Sequence, residues 1–288
     1  MAEFSHLSES TREIARLDAS QRLEHLYIDR WIDYPRAMEA IAQLEILRAT
    51  PERTRMPCML IHGDSGIGKS MIVKKFHRAH PPKFDRAKGF QEIELLSVQM
   101  PPAPQERRIY GQILLALNAP YRPSDRLAAV EHTALILLRR LKPRVILVDE
   151  VHHLLAGTAR EQRTSLNLLK FLSNELSCSV VALGTRDAVA AMHSDSQIAS
   201  RFADFELPCW QEDESFRRFL AAFERLLPLR RPSRLAERDI ASLLLHHSRG
   251  VTGAIAGVLV RAADAAIRSG EEYVSAAILR NVLNSPSK

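Results

Sequence analysis

Short apolar runs alternate with longer amphipathic patterns through the middle of the chain. The runs that have the length of β-strands are Cys58–Ile61, Ile93–Val98, Val145–Val148, Val180–Leu183 and Phe205–Leu207. The stretches between them with apolar residues at helical spacing are Met71–His80, Ile109–Leu117, Leu127–Leu141, Glu161–Glu175 and Gln197–Phe202. Continuous apolar runs are typical of strands buried on both faces, as in parallel sheets. The alternation therefore predicts an α/β fold built on a parallel five-stranded sheet.

The two ends of the chain lack strand patterns. The helical patterns after the last predicted strand are Glu212–Leu227, Leu235–His247, Thr252–Ser269 and Val274–Leu283. Residues 1–35 are polar with apolar residues at helical spacing, and an amphipathic helix is predicted from Met38 to Leu47. We therefore predict an N-terminal extension at 1–35, an α/β domain at 36–210 and a small all-α lid domain at 211–288.

The composition is that of an ordinary globular protein and excludes several classes. The 288 residues are 46% hydrophobic and 26% charged, which argues against wholesale disorder. No apolar run approaches the roughly 20 residues that span a bilayer, and the N-terminus lacks a secretory pattern. Three scattered cysteines form no CxxC pair, which disfavours a zinc site or a disulfide framework. We expect a cytoplasmic protein with no membrane partner, and a net charge of +6 is compatible with binding to nucleic acid.

The clearest chemical signal is a phosphate-binding loop directly after the first predicted strand. It matches the pattern G-x-x-x-x-G-K-S with the residues Gly63, Asp64, Ser65, Gly66, Ile67, Gly68, Lys69 and Ser70. Glycines let backbone N–H groups turn inward around a phosphate, and the next helix offers the anion its positive end. Lys69 is expected to reach the β- and γ-phosphates, and Ser70 to ligate Mg²⁺. The loop therefore predicts ATP and Mg²⁺ as cofactors.

Three further positions follow predicted strands or a short helix. The apolar run at 145–148 ends in Asp149, a predicted Mg²⁺ ligand, and Glu150, which is expected to polarise the attacking water. Thr185 follows the strand Val180–Leu183 and is placed to contact the γ-phosphate or the water, the role called sensor 1. Arg201 ends the short helix before the last strand and is expected to act as an arginine finger in a neighbouring copy.

Together these residues resemble the AAA+ ATPases over about residues 36–285. More narrowly, the chain resembles the TniB family of TnsC-like transposition proteins. The segments that carry this resemblance are Trp31–Ala37, Arg55–Ser70, Asp149–Leu176 and Val181–Ala188. The resemblance implies an ATP-dependent homo-oligomer, a ring or a helical filament, on non-specific double-stranded DNA. It also implies recruitment of a transposase and of a TniQ-type targeting protein.

The residues that contact DNA are harder to identify from the sequence than the motif residues above. Exposed arginines that meet phosphates without reading bases are predicted at Arg107, Arg108, Arg122 and Arg126, after the second predicted strand. Arg160 and Arg163, after the predicted strand that ends in Asp149, are the alternatives.

One departure from the AAA+ pattern concerns the lid. The run Gly250–Gly253 has glycine where a sensor 2 arginine is common, and Arg249 and Arg261 are alternative sources of the charge. We therefore expect slow, switch-like hydrolysis. Two other functions stay open: a helicase-loader or replication-initiation ATPase, and a nucleotide-dependent adaptor that binds proteins but not DNA.

Overall fold

The computed structural model describes residues 4–86, 89–122, 124–194 and 196–284. Residues 1–3 of the predicted extension and 285–288 of the predicted lid therefore lie outside the described residues. The chain forms two compact units. One is an α/β unit of residues 36–65 and 69–207, and the other is a helical unit that groups the N-terminal residues up to 35 with residues 66–68 and 208 onward.

The helices and strands in chain order are α1 (Glu9–Ala15), α2 (Ala19–Leu26), α3 (Pro35–Ala49), β1 (Cys58–His62), α4 (Lys69–Ala79), β2 (Lys83–Asp85), β3 (Phe90–Glu92), β4 (Leu95–Gln99), α5 (Glu106–Ala116), α6 (Leu127–Leu141), β5 (Val145–Asp149), a 3-10 helix (Val151–Ala156), α7 (Ala159–Glu175), β6 (Ser179–Gly184), α8 (Asp187–His193), α9 (Ser196–Ala199), β7 (Phe202–Glu206), α10 (Glu214–Glu224), α11 (Arg238–Ser248), α12 (Thr252–Ser269) and α13 (Ala276–Asn284). Among the residues described, no helix combines the length and the apolar character needed to cross a membrane.

The α/β unit is built on a five-stranded sheet, counted over the described residues, with the order β4-β5-β6-β1-β7. All four neighbouring pairs are parallel, as the sequence predicted. The central strands are buried on both faces: every residue of β6 is buried, as are the first four of β5. Because parallel strands end at the same edge, the loops after β1, β5 and β6 emerge together.

Two of the predicted boundaries in this unit were wrong. The strand predicted at 93–98 begins two residues later, as β4 (Leu95–Gln99) of the main sheet, and the antiparallel hairpin of β2 and β3 that precedes it was not predicted. The predicted helix at 197–202 ends at Ala199, and Phe202 already pairs with Cys58 as the first residue of β7. The reason is the same in both places: elements of three to five residues are too short for hydrophobic periodicity to delimit them.

The helical unit combines α1 and α2 with the four C-terminal helices α10–α13. Leu26 and Ile32 from the N-terminal segment belong to the same buried cluster as Phe216, Leu244 and Leu259. Residues 1–35 were predicted as a separate extension, whereas the described part of this segment packs into the helical unit. The apolar positions that had helical spacing in the sequence are thus the positions that the fold buries.

A buried ion pair fastens the N-terminal segment within the helical unit. The Arg22 guanidinium is 2% exposed and donates to both carboxylate oxygens of Glu272, at 2.6 and 2.7 Å. It also donates to the Pro228 carbonyl at 3.1 Å. These bonds join positions more than 200 residues apart in the sequence.

Candidate active site

The phosphate loop connects β1 to α4. Gly66 and Gly68 have φ angles of 76° and 112°, in a region that residues with a side chain rarely adopt. The Gly63 N–H donates to the Gly184 carbonyl at 3.3 Å, which fastens the start of the loop to the end of β6. Helix α4 begins at Lys69, so its first N–H groups, which have no intrahelical partner, lie at the loop. This is the arrangement that binds a phosphate.

The side chain of Lys69 is held by its own loop. It is 8% exposed, and its ammonium donates to the carbonyls of Gly63 (2.8 Å) and Asp64 (3.0 Å). Burial lowers the pKa of Lys69, and the nearby carboxylates, Asp149 first among them, offset only part of that effect. Because its hydrogen-bond partners are neutral carbonyls, this buried ammonium would be stabilised by an anionic ligand.

Ser70 and Asp149 meet as the sequence predicts for a metal site. The Ser70 hydroxyl donates to Oδ2 of Asp149 at 3.2 Å. The other carboxylate oxygen accepts the Glu150 N–H at 2.8 Å, which orients the carboxylate. A hydroxyl and a carboxylate are the hard oxygen donors that Mg²⁺ uses together with phosphate oxygens and water. The residues present therefore fit Mg²⁺.

Glu150 occupies a constrained position directly after β5. Its φ angle is 58°, in the left-handed region that few residues other than glycine adopt. Its Oε2 lies 3.1 Å from Nε2 of His152. The His153 ring is placed by a 2.9 Å hydrogen bond between Nδ1 and the Met100 carbonyl. The ligand atoms of these three residues lie within 4.8 Å of one another. The carboxylate is thus held by a defined neighbour.

The hydroxyl of Thr185 lies next to the strands that carry the site. It follows β6, which lies between the strand that ends at Asp149 and the strand that leads into the phosphate loop. Its Oγ1 is buried and has no hydrogen-bond partner within the described part of the chain. A buried hydroxyl without a partner costs free energy unless a ligand or water completes it.

Similarity to known proteins places the chain in a family. A family model described as Bacterial TniB protein matches residues 22–212. This chain belongs to the TniB family. Among curated proteins, no match was found.

Similar solved structures show the fold of this TniB-family chain. The Aeropyrum pernix ORC2 protein (ADPNP-ADP complexes) has a TM-score of 0.65 at 16% identity and covers 92% of this chain and 72% of its own. The Aeropyrum pernix ORC1 protein in complex with DNA has a TM-score of 0.64 at 16% identity, and the match covers 90% of this chain and 68% of the ORC1 chain. Cdc6p from Pyrobaculum aerophilum has a TM-score of 0.63 at 15% identity, and the match covers 94% of this chain and 73% of the Cdc6p chain. The predicted fold, an AAA+ P-loop ATPase core with a helical domain, is confirmed.

Arg201 lies at the opposite edge of the sheet from the phosphate loop. Its carbonyl accepts the N–H of Cys58, the first residue of β1, at 3.3 Å. Its guanidinium donates to Oδ1 of Asn174 at 2.7 Å. Arg55 is beside it and donates to Ser200 at 2.8 Å. Because the phosphate loop follows the other end of β1, Arg201 is one strand length from the phosphate loop of its own chain.

The predicted DNA-contacting arginines and their alternatives lie on connected elements. Arg107, Arg108, Arg122, Arg126, Arg160 and Arg163 are all at least partly exposed. The start of α5 is joined to the start of α7 by the Ser165 hydroxyl, which donates to the Pro104 carbonyl at 2.7 Å. The loop that carries Arg122 folds back on α5, where a Cβ at Gly111 would meet the Tyr121 ring at 2.8 Å. Both sets therefore belong to one region of the α/β unit.

The lid position that often holds a sensor 2 arginine is closed to any side chain. The Gly253 N–H donates to the Gly66 carbonyl at 2.8 Å within the helical unit, and a Cβ at Gly253 would lie 2.9 Å from that oxygen. Arg249 is exposed with a φ of 52° at the end of α11, and Arg261 is partly buried in α12.

Sequence reasoning missed two residues near the predicted site. Arg186 was overlooked although it directly follows Thr185, and its Nε lies 3.0 Å from Oδ1 of Asp64 in the phosphate loop. His152 was not connected with Glu150, although a spacing of two residues after a strand end permits that contact. In both cases the adjacency to a motif residue was the available signal.

Proposed function

We propose that this TniB-family chain is an ATP-hydrolysing switch of DNA transposition. In this proposal it assembles on duplex target DNA and recruits a transposase and a TniQ-type targeting protein. The proposal is supported by the carboxyl edge of the sheet, where the buried Lys69, the Ser70–Asp149 pair and the Thr185 hydroxyl gather in an AAA+ fold. The three cysteines, Cys58, Cys178 and Cys209, form no disulfide with one another, which is compatible with the cytoplasmic location that we propose.

Each residue has a separate task in ATP hydrolysis. Ser70 and Asp149 would hold Mg²⁺, which when bound neutralises charge on the phosphate oxygens. Lys69 exchanges its two loop carbonyls for phosphate oxygens. Glu150 orients and polarises the water that attacks the γ-phosphorus while the bond to the ADP oxygen breaks. The Thr185 hydroxyl gains the hydrogen-bond partner that it lacks among the described residues.

The position of Arg201 supports the assembly that we propose. Arg201 lies at the start of β1, whereas the phosphate loop of the same chain follows the end of β1. Its contribution to catalysis is therefore made in a neighbouring copy. There it stabilises the charge that develops on the γ-phosphate, as arginine fingers do. Binding of ATP thus favours contact between copies, and hydrolysis removes the group that Arg201 holds.

The arginines on the α5–α6 region supply the affinity for DNA. Arg107, Arg108, Arg122 and Arg126 are accessible to solvent and, within the described residues, none of their side chains forms an ion pair. Exposed guanidiniums that are not neutralised bind phosphates without sequence preference and release counterions. By contrast, the lid arginine Arg218 is paired with Glu214.

The test is electron microscopy of the purified protein with plain duplex DNA in ATP, a slowly hydrolysed analogue, ADP or no nucleotide. We expect rings or filaments on DNA only with the triphosphates. Lys69→Ala should abolish both ATP binding and assembly, whereas Glu150→Gln should bind ATP and remain on DNA. Monomers that ignore DNA in every nucleotide state would contradict the DNA-binding part and favour the adaptor function.

A second measurement assigns the DNA contacts. In titrations with increasing salt, Arg107→Ala with Arg108→Ala should reduce the slope of log K against log salt by about 0.9 for each phosphate that the variant no longer binds. Arg218→Ala is the matched control because it also removes an exposed arginine, and it should leave the slope unchanged. Equal slopes for all three proteins would exclude these two arginines as phosphate contacts.

A further inference from the structure

Arg186 is a cation at the phosphate loop that no sequence motif accounts for. It directly follows Thr185 and precedes helix α8. Its Nε lies 3.0 Å from Oδ1 of Asp64, the second residue of the loop, and its Nη2 lies 3.9 Å from Oε1 of Glu206 at the end of β7. All of these residues belong to the α/β unit. The guanidinium is therefore at the edge of the sheet where the phosphate loop lies.

The helical unit does not provide an arginine at the usual lid position. Gly253 occupies that position, and its contact with the Gly66 carbonyl leaves no space for a Cβ. A triphosphate in this loop would therefore receive no cation from position 253. The side chain of Arg186, by contrast, contacts the phosphate loop at Asp64.

We propose that Arg186 is a catalytic residue that leaves Asp64 and binds the γ-phosphate of ATP in its own subunit. This inference rests on the proposed ATPase function. Arg186 transfers no proton: it neutralises the charge that grows on the γ-phosphate oxygens while the water oxygen bonds to phosphorus and the bond to ADP breaks. When phosphate leaves, the guanidinium returns to Asp64.

The energetics favour this exchange. The side chains of Arg186 and Asp64 are 56% and 39% exposed, and exposed ion pairs of this kind contribute little to stability. A guanidinium binds phosphate oxygens through two parallel charge-assisted hydrogen bonds, and a γ-phosphate carries more negative charge than the single carboxylate of Asp64. Asp64 therefore holds Arg186 close to the loop without retaining it once a triphosphate is present.

The alternative role is structural, with Arg186 bracing Asp64 permanently. The two roles differ in what Asp64→Asn does. If the pair is a brace, Asp64→Asn and Arg186→Gln break the same contact and lower kcat equally. If Arg186 moves to the γ-phosphate, Asp64→Asn releases the guanidinium and removes a negative charge near the triphosphate. It then lowers the KM for ATP several-fold, while Arg186→Gln lowers kcat.

The experiment measures steady-state ATP hydrolysis and equilibrium binding of ADP, with and without aluminium fluoride, for full-length variants. We expect Arg186→Gln to reduce kcat about 100-fold or more, as loss of one preorganised charge-stabilising group does. It should also weaken binding of the ADP–aluminium fluoride complex, while ADP alone binds as in the wild type. Arg186→Lys should restore part of kcat because it keeps the charge but not the paired hydrogen bonds.

The controls separate failure of this inference from failure of the proposed function. Arg218→Gln removes an exposed arginine from a surface pair of the helical unit and should hydrolyse ATP at the wild-type rate. A wild type that hydrolyses no more ATP than Glu150→Gln would overturn the ATPase itself. An active wild type whose kcat is unchanged by Arg186→Gln, or falls equally with Asp64→Asn, would overturn only the role of Arg186. If Arg186→Gln does not fold, Arg186→Lys and Asp64→Asn make the same distinction.

Discussion

The two units of this protein each bury a basic side chain, and they hold it in opposite ways. Among the described residues, Arg22 and Lys69 are the basic side chains that are more than nine-tenths buried. In the helical unit, Arg22 has a carboxylate partner, Glu272, with two hydrogen bonds. In the α/β unit, Lys69 is bound by two backbone carbonyls. The first charge is hydrogen-bonded to a carboxylate, whereas the second is hydrogen-bonded to neutral carbonyls.

We propose that this difference separates a structural cation from a ligand-binding one. A buried ion pair forms when the chain folds, so removing one partner leaves the other charge without compensation. A buried ammonium that is hydrogen-bonded to neutral carbonyls keeps a positive charge that those partners do not neutralise, so an anionic ligand can bind to it. Burial alone would not distinguish the two residues, since both are almost inaccessible to solvent. The partner decides the role.

The largest effect expected from this comparison is on stability. Arg22→Ala leaves the Glu272 carboxylate, 16% exposed, without its partner, and should lower the free energy of unfolding by about 3–5 kcal/mol. Urea denaturation followed by tryptophan fluorescence measures this, because both tryptophans, Trp31 and Trp210, are in the helical unit. Arg218→Ala is the control, and its 76% exposed side chain should change stability by less than about 1 kcal/mol. If Arg22→Ala lowered the free energy of unfolding by less than about 1 kcal/mol, the contrast between Arg22 and Lys69 would be contradicted.

Lys69→Met should show the reverse pattern. The variant loses charge-assisted hydrogen bonds to phosphate, each worth about 1.5–3 kcal/mol, so ATP affinity should fall roughly 100-fold. The free energy of unfolding should not decrease, because no carboxylate is left unpaired. Calorimetric titration with ATP and urea denaturation measure the two quantities, with Lys74→Met on the exposed face of α4 as control. A destabilisation as large as that of Arg22→Ala would show that Lys69 is structural.

Gly253→Ala tests the closed lid position with a smaller expected effect. The added Cβ would lie 2.9 Å from the Gly66 carbonyl oxygen, and such overpacking typically costs about 1–3 kcal/mol. Gly257→Ala is the matched control on the same helix, since a Cβ there has nothing within 4 Å. It should stabilise the protein by up to about 1 kcal/mol because alanine favours helices. Denaturation midpoints of the two variants should therefore move in opposite directions. Movement in the same direction would contradict the steric argument.

The smallest effect concerns pH. Burial alone would raise the pKa of Glu272, but the hydrogen bonds and charge of Arg22 outweigh it, so the pKa lies below the usual 4.5. The resulting stability is fully present above about pH 4.5 and is lost as the pH falls through the lowered pKa. Glu272→Gln should remove this dependence, which unfolding measured between about pH 3 and 6 would reveal. Parallel pH profiles for the two proteins would refute it.

The fold was predictable where the pattern was long or local. Helix α12 and helix α6 were delimited to the residue by apolar periodicity, and the phosphate loop by its own spacing. The hairpin of β2 and β3 was missed because strands of three residues have no measurable period. Helix α8 was also missed, because its seven residues make barely two turns.

Contacts between distant positions were not predictable in the same way. The pair of Arg22 with Glu272 and that of Arg186 with Asp64 join residues that share no motif and depend on tertiary packing. The sequence identified the types of group at the site, whereas the partners of those groups, which distinguish Lys69 from Arg22, required the structure.

The location of Arg201 and of the phosphate loop at opposite edges of one parallel sheet has a geometric consequence. A copy that reaches its neighbour's nucleotide with Arg201 offers its own loop at the other edge, so the two surfaces that meet are different. Such a contact is heterologous and repeats in one direction, closing into a ring or continuing as a helix. An open assembly therefore has polarity. At one end a nucleotide faces no arginine, and at the other an arginine faces no nucleotide, so growth and loss of subunits differ between the two ends.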